Sequence, residues 1–129
     1  MPRYSETSKK RLATATAPLQ RVFNHVIKFF DNTIVCGYRP PEEQLELFNE
    51  GKSKVKFGKH NKFPSEAVDA APYPIDWTDT KRFIFFGGFV LGVASVLGVR
   101  LRWGGDWSMD TELKDNKFND YVHFETIEK

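Results

Sequence analysis

The chain has 129 residues, with 19 Lys plus Arg against 17 Asp plus Glu, 3 His and 1 Cys. That length suits one domain able to bury a core without covalent staples, and the 40% apolar and 28% charged fractions exclude a largely disordered chain. One cysteine excludes an internal disulfide framework and a multi-cysteine zinc finger, and a net charge of +2 makes no electrostatic case for nucleic acid.

Residues 1–17 are polar, with Lys9, Lys10 and Arg11 together and no apolar h-region. They read as a flexible N-terminal tail and not as a secretory signal. Pro18 suits a first helical turn, and Leu19, Val22, Phe23, Val26, Ile27 and Phe30 follow at helical spacing, predicting an amphipathic helix over 18–31. His25, on that helix with no carboxylate set around it, reads as structural or surface. Residues 33–39 (TIVCGYR) predict a strand, with Cys36 a buried small hydrophobe and not a ligand. Pro40 and Pro41 open a second helix, Glu42 and Glu43 suit its positive end, Leu45, Leu47 and Phe48 give it an apolar side, and Gly51 closes it.

Residues 52–64 carry Lys52, Lys54, Lys56, Lys59 and Lys62 and no acid. They read as a solvated loop or as a patch for an anionic polymer. A short strand is expected within 65–74. Thr78 or Asp79 can cap a long helix over about 80–98. Phe83–Val99 is apolar enough to raise a membrane span, but it is short for one and flanked by charge, so a buried core helix is expected. Its glycines, Gly87, Gly88, Gly92 and Gly98, would let a sheet approach closely. VRLRW (99–103) and YVHFETI (121–127) predict the last strands, separated by a polar loop. Helices and strands mix without a βαβ rhythm, which gives an α+β class with a single domain over 18–129.

Two imidazole–carboxylate pairs stand out. His60 and Asp69 flank a turn, and Asp120 and His123 open the final strand. Catalytic zinc commonly takes three protein ligands and leaves a position for water. His60, Asp69 and His123 would make such a set, leaving Asp120 to move a proton. On spacing alone, each pair reads more readily as a surface or hydrogen-bonding pair.

The blocks GYRPPEEQLELFNEGKS, GKHNKFPSEAVDAAPYPIDW, LRWGGDW and FNDYVHFE, in this order, resemble the zinc metallopeptidases of bacterial cell-wall metabolism. That family joins VanY-like D-alanyl-D-alanine carboxypeptidases and phage L-alanyl-D-glutamate endopeptidases. The resemblance spans about residues 18–127 and is strongest to short single-domain phage endolysins. It implies a small antiparallel sheet packed with helices, of the hedgehog/DD-peptidase kind, and Zn2+ as cofactor. It makes His60, Asp69 and His123 the zinc ligands, Asp120 the catalytic base, and Arg39 the group that stabilises the oxyanion formed when water attacks. For Gln44 it leaves three roles open: orienting Arg39, touching substrate, or packing. Trp103, Asp106 and Trp107 are either site residues, with Asp106 holding a ligand histidine, or two core tryptophans and a turn cap. Gly58 stands where the family usually has serine, the His60-to-Asp69 span is two residues longer than its common form, and Asp120 replaces the glutamate of the carboxypeptidase branch.

The implied function is hydrolysis of peptidoglycan stem peptides, at the L-Ala–D-Glu bond, by a monomeric phage enzyme that waits in the host cytoplasm for holin-mediated release. The alternatives are a D-Ala-D-Ala carboxypeptidase and a non-catalytic metal- or wall-binding module. No nucleic acid and no integral membrane segment are expected, and the Lys52–Lys62 loop is the candidate for wall contact.

Overall fold

Polar caps and apolar spacing divide the chain into the elements seen in the computed structural model, which describes residues 2–53 and 55–127. They are α1 (Glu6–Leu12), α2 (Ala17–Val26), β1 (Asn32–Cys36), α3 (Pro41–Asn49), a 3-10 turn (Lys59–Asn61), β2 (Ala67–Pro72), α4 (Thr80–Val96), β3 (Leu101–Gly104) and β4 (Asp120–Thr126). The strands form one sheet in the order β1-β2-β4-β3, every neighbouring pair antiparallel. The α+β class and small antiparallel sheet are as the sequence predicts.

Strand alternation decides which side chains meet the helices. Val68, Trp103 and Phe124 are buried and pack with Leu19, Val22, Phe23 and Val26 of α2 and Phe86, Val90 and Ala94 of α4 in one cluster. Phe124 makes edge-on contacts with Phe23 at 5.5 Å and Phe86 at 6.0 Å. The intervening residues Asp69, His123 and Glu125 therefore face the other way, and this leaves the chemistry on the sheet face opposite the core.

Three expectations need correction. The described part of the expected tail, residues 2–17, is not frayed. Ser5 caps α1 by accepting from the Ser8 backbone N–H at 3.1 Å, and Tyr4 is buried with its hydroxyl donating to Asn32 Oδ1 at 2.8 Å. The reason lies in β1, an edge strand whose free backbone groups need partners. Ser8 Oγ accepts from the Ile34 N–H at 3.1 Å, and Arg11 donates to the Ile34 carbonyl at 3.0 Å. Second, α3 turns Gln44 inward, while Leu45 stays exposed. Third, α4 is buried along one side only: Phe85 and Val96 remain exposed, because the sheet and α2 cover just one face. No helix among the described residues is long and apolar enough to cross a membrane.

Of the α4 glycines, only Gly87 serves a close approach. A Cβ there would sit 2.3 Å from the Trp103 indole, whereas Gly88 and Gly92 face open space. Gly87→Ala is expected to cost ~1–3 kcal/mol by overpacking, and Gly88→Ala to add up to ~1 kcal/mol through helix propensity. Thermal denaturation of both variants checks this, and a Gly87→Ala protein as stable as the parent would refute the packing argument.

Candidate active site

Strand register assembles the site. Asp69 on β2 lies opposite His123 on β4 and, across the other neighbour, opposite Cys36 on β1. The 3-10 turn then swings His60 over the same row. His60 Nε2 is 3.0 Å and His123 Nδ1 3.3 Å from Asp69 Oδ1, and the two rings are 5.2 Å apart. The far nitrogen of each ring is engaged: His60 Nδ1 donates to the Gly37 carbonyl at 2.7 Å, and His123 Nε2 to Glu125 Oε1 at 2.8 Å. Hydrogen bonds of this kind fix the tautomer and leave the other nitrogen to a metal. Two imidazole nitrogens that both reach one carboxylate oxygen are donor types that zinc takes.

Charge in this row is tightly coupled. Burial opposes the charged form of His60, but Asp69 and the Cys36 sulfur outweigh it and lift its pKa to about 10. His123 is likewise lifted to about 9, against burial, by Asp69 and Glu125. Burial works against the Asp69 carboxylate, yet the two imidazoles hold it well below the usual carboxylate range. Glu125, opposed by its own burial, is brought down to about 2 by His123 and Arg102. Asp120 goes the other way: burial, reinforced by the Asp69 charge, raises its pKa while His123, His60 and Arg39 pull it back. A carboxyl with a raised pKa beside a metal-type donor set is suited to carrying a proton in both directions.

Arg39 donates to Gln44 Oε1 at 2.8 Å and lies 3.7 Å from Asp69 Oδ2. Gln44 Nε2 donates in turn to Ser53 Oγ at 2.7 Å and the Val55 carbonyl at 2.8 Å. Of the three roles open to Gln44, its place is that of a buried strut orienting Arg39. Cys36 is half-buried, not a plain core residue, and its Sγ is 3.4 Å from Arg39 Nη2. The sulfur, a His60 nitrogen and an Asp69 oxygen lie within 4.8 Å of one another.

The RWGGDW block divides. Trp103 is core. Trp107 edges the site, 5.4 Å from the His123 ring. Asp106 does not reach a histidine: its carboxylate accepts from the backbone N–H groups of Thr111 at 2.8 Å and Asp110 at 3.3 Å and so caps the following turn. The acid that does hold a histidine is Glu125, to which the sequence reading assigns no role. Its signal is the period of two along β4, which puts Glu125 on the face of His123. Arg102, its cross-strand partner, binds Glu125 Oε2 at 2.8 Å, and Lys59 approaches the same oxygen at 3.4 Å. Lys59 is thus a structural cation and not a loop side chain open to the wall. Lys52 pairs with Glu50 at 3.1 Å, Lys62 with Glu66 at 3.4 Å, and Lys56 sits over the Phe48 ring. Lys54 lies outside the described residues. His25, on α2, touches Phe29 and takes no part in the site.

These groups line a cleft of about 620 Å³ whose walls include Arg39, Lys52, Lys59, Arg102, Trp107 and Phe118. A hollow of about 650 Å³ beside Tyr4, Asp31 and Tyr73 is as large, but none of its lining residues is a His or Cys.

Comparison with known proteins fits this geometry. The fold superposes on an L-Ala D-Glu endopeptidase, ChiX, of Serratia marcescens with a TM-score of 0.78 at 21% identity, covering 97% of this chain and 90% of that one. The L-alanyl-D-glutamate peptidase of Escherichia phage T5 is 30% identical over 119 residues, 88% of this chain and 87% of the relative. The family model for phage L-alanyl-D-glutamate peptidases matches residues 1–127. This chain therefore belongs to the phage L-alanyl-D-glutamate peptidase family.

Proposed function

We propose that this protein is a zinc-dependent peptidase that hydrolyses peptidoglycan stem peptides at the L-Ala–D-Glu bond. The observation that carries the reading is the meeting of His60 and His123 on Asp69 beside Asp120 and Arg39 in one cleft, in a chain of this family. His60 Nε2, Asp69 Oδ1 and His123 Nδ1 would hold the metal. When bound, zinc supplies Lewis acidity and brings the pKa of a water near neutrality.

The chain's own residues do the rest. Asp120, with its raised pKa, accepts the proton of the attacking water at a carboxylate oxygen and delivers it to the leaving amine of D-Glu. Arg39, held by Gln44, presents its guanidinium to the oxygen of the attacked carbonyl as negative charge develops there. Glu125 holds His123 through Nε2, which would leave Nδ1 for the metal. Lys52, exposed at the cleft wall, suits a carboxylate of the stem beyond D-Glu. In this reading the enzyme waits in the host cytoplasm and meets the wall after a holin opens the membrane.

Mass spectrometry of peptidoglycan digested with zinc-loaded protein tests the reading. Stems beginning at D-Glu are expected. Release of single D-Ala would replace the endopeptidase by a carboxypeptidase, and no cleavage would leave a binding module. Glu125→Gln is expected to weaken zinc binding by roughly 10–100-fold, since the ring then loses its charged partner. Isothermal titration measures this, and an unchanged affinity would remove Glu125 from the positioning role.

A further inference from the structure

A second hollow touches the catalytic cleft at one residue. Its volume is about 180 Å³, and Trp77, Thr80, Phe83, Asn119, Tyr121 and Val122 line it with Asp120. Asp120 is the residue shared with the cleft and the charged one in the hollow. The cleft holds charged groups of both signs, Arg39, Lys52, Lys59 and Arg102 with Asp69 and Glu125, whereas the rest of the hollow is uncharged and half of its residues are aromatic. Trp77 is 63% exposed, and its ring stacks on Phe83 at 5.5 Å with 22° between planes. One face of the indole is therefore braced by the protein and the other is open.

The chemistry of the substrate says what belongs there. In peptidoglycan the amine of the first stem residue, L-Ala, is acylated by the lactyl group of N-acetylmuramic acid. The attacked carbonyl is that of L-Ala, so the sugar follows within about two residue lengths, roughly 7 Å. It lies on the acyl side, and the acidic remainder of the stem lies on the amine side. The cleft, with Lys52 exposed at its wall, suits the acidic side, which leaves the uncharged part of the hollow for the neutral ring. A pyranose lays its apolar C–H face on an aromatic plane while its hydroxyls stay in water, and a rigid, braced indole provides that plane at little entropic cost.

We propose that the Trp77–Phe83 ledge is a subsite for the N-acetylmuramyl ring of the substrate, so that the enzyme reads the glycan-linked end of the stem as well as the peptide. The proposal rests on the endopeptidase reading above. Its test uses the zinc-loaded full chain with two substrates: a muramyl tetrapeptide, and the same tetrapeptide capped by acetyl in place of the muramyl group. Wild type is expected to prefer the muramyl substrate. Trp77→Ala is expected to lose that preference through a higher KM, with kcat/KM on the muramyl substrate down roughly tenfold and the acetyl substrate unaffected. Trp77→Phe, which keeps a stacking plane, is expected to retain most of the preference. Equal losses on both substrates, or none on the muramyl one, would overturn the subsite and leave Trp77 a packing residue. Wild type cutting neither substrate would instead overturn the endopeptidase reading, and the subsite with it, in the same assay.

Discussion

Asp120→Asn is expected to abolish stem cleavage, lowering kcat by about 10²–10⁴-fold, the usual contribution of a positioned acid–base group. The amide keeps the shape of the carboxyl but cannot accept the proton of water or return one to the amine. The effect should be confined to chemistry, because Asp120 stands beside the donor set and not in it: the short contacts of Asp69 Oδ1 are to the two imidazoles. Any acid limb of the kcat/KM profile that comes from Asp120 should vanish from the residual activity of the variant. Digests of purified peptidoglycan by the two proteins, followed by mass spectrometry, give the rates. Zinc titration of the variant supplies the control. An Asp120→Asn variant that binds zinc and still releases D-Glu-headed stems at a rate within about tenfold of wild type, well short of the loss a missing acid–base group causes, would remove Asp120 from the base role.

What could be read in the sequence followed from short-range physics, and what could not depended on distant partners. Leu19, Val22, Phe23 and Val26 recur at helical spacing and are buried as that spacing requires. The alternation of VHFE along β4 likewise separates Phe124 from His123 and Glu125. The meeting of His60 with His123 is a matter of register, since Asp69 bridges them only because β2 and β4 pair at that position. No local pattern encodes that pairing, and family resemblance supplied it.

The N-terminal helix escapes a sequence reading for the opposite reason. Its sequence is polar, and Ser8 and Arg11 read as solvent-facing until the edge of β1 is there to bind them. Gln44 shows the same limit. A helix side chosen by hydrophobicity points Leu45 inward, yet satisfying Arg39, Ser53 and Val55 at once decides the rotation. Asp106 caps a turn and Glu125 holds the histidine because a carboxylate's partner is set by its place in a turn or on a strand, not by its distance from a histidine along the chain.

Zinc is expected to stabilise the protein far more at pH 8 than at pH 5, and the reason is proton competition. In the metal-free state His60 and His123 are raised from 6.5 to about 10 and about 9. A group raised on folding stabilises fully below its unfolded value and loses that contribution as pH climbs through its folded one. Asp69 and Glu125 are lowered from 3.8 and 4.5, so their contribution is present above those values and lost as pH falls below them. The metal-free protein should therefore be most stable between 4.5 and 6.5 and weaken toward alkaline pH as the imidazolium–carboxylate row discharges. Zinc needs the same ring nitrogens without their protons, so its binding releases protons and strengthens over the range where the bare row fails. At a free zinc concentration 100 times the dissociation constant, the added stability is about 2.7 kcal/mol. For a chain of this length that corresponds to roughly 10 °C in Tm. Thermal denaturation with zinc and with a chelator, at pH 5 and pH 8, measures the difference, and calorimetry in buffers of different ionisation enthalpy counts the protons. A zinc-induced shift of equal size at both pH values, or binding without proton release, would mean that the metal does not sit on His60 and His123.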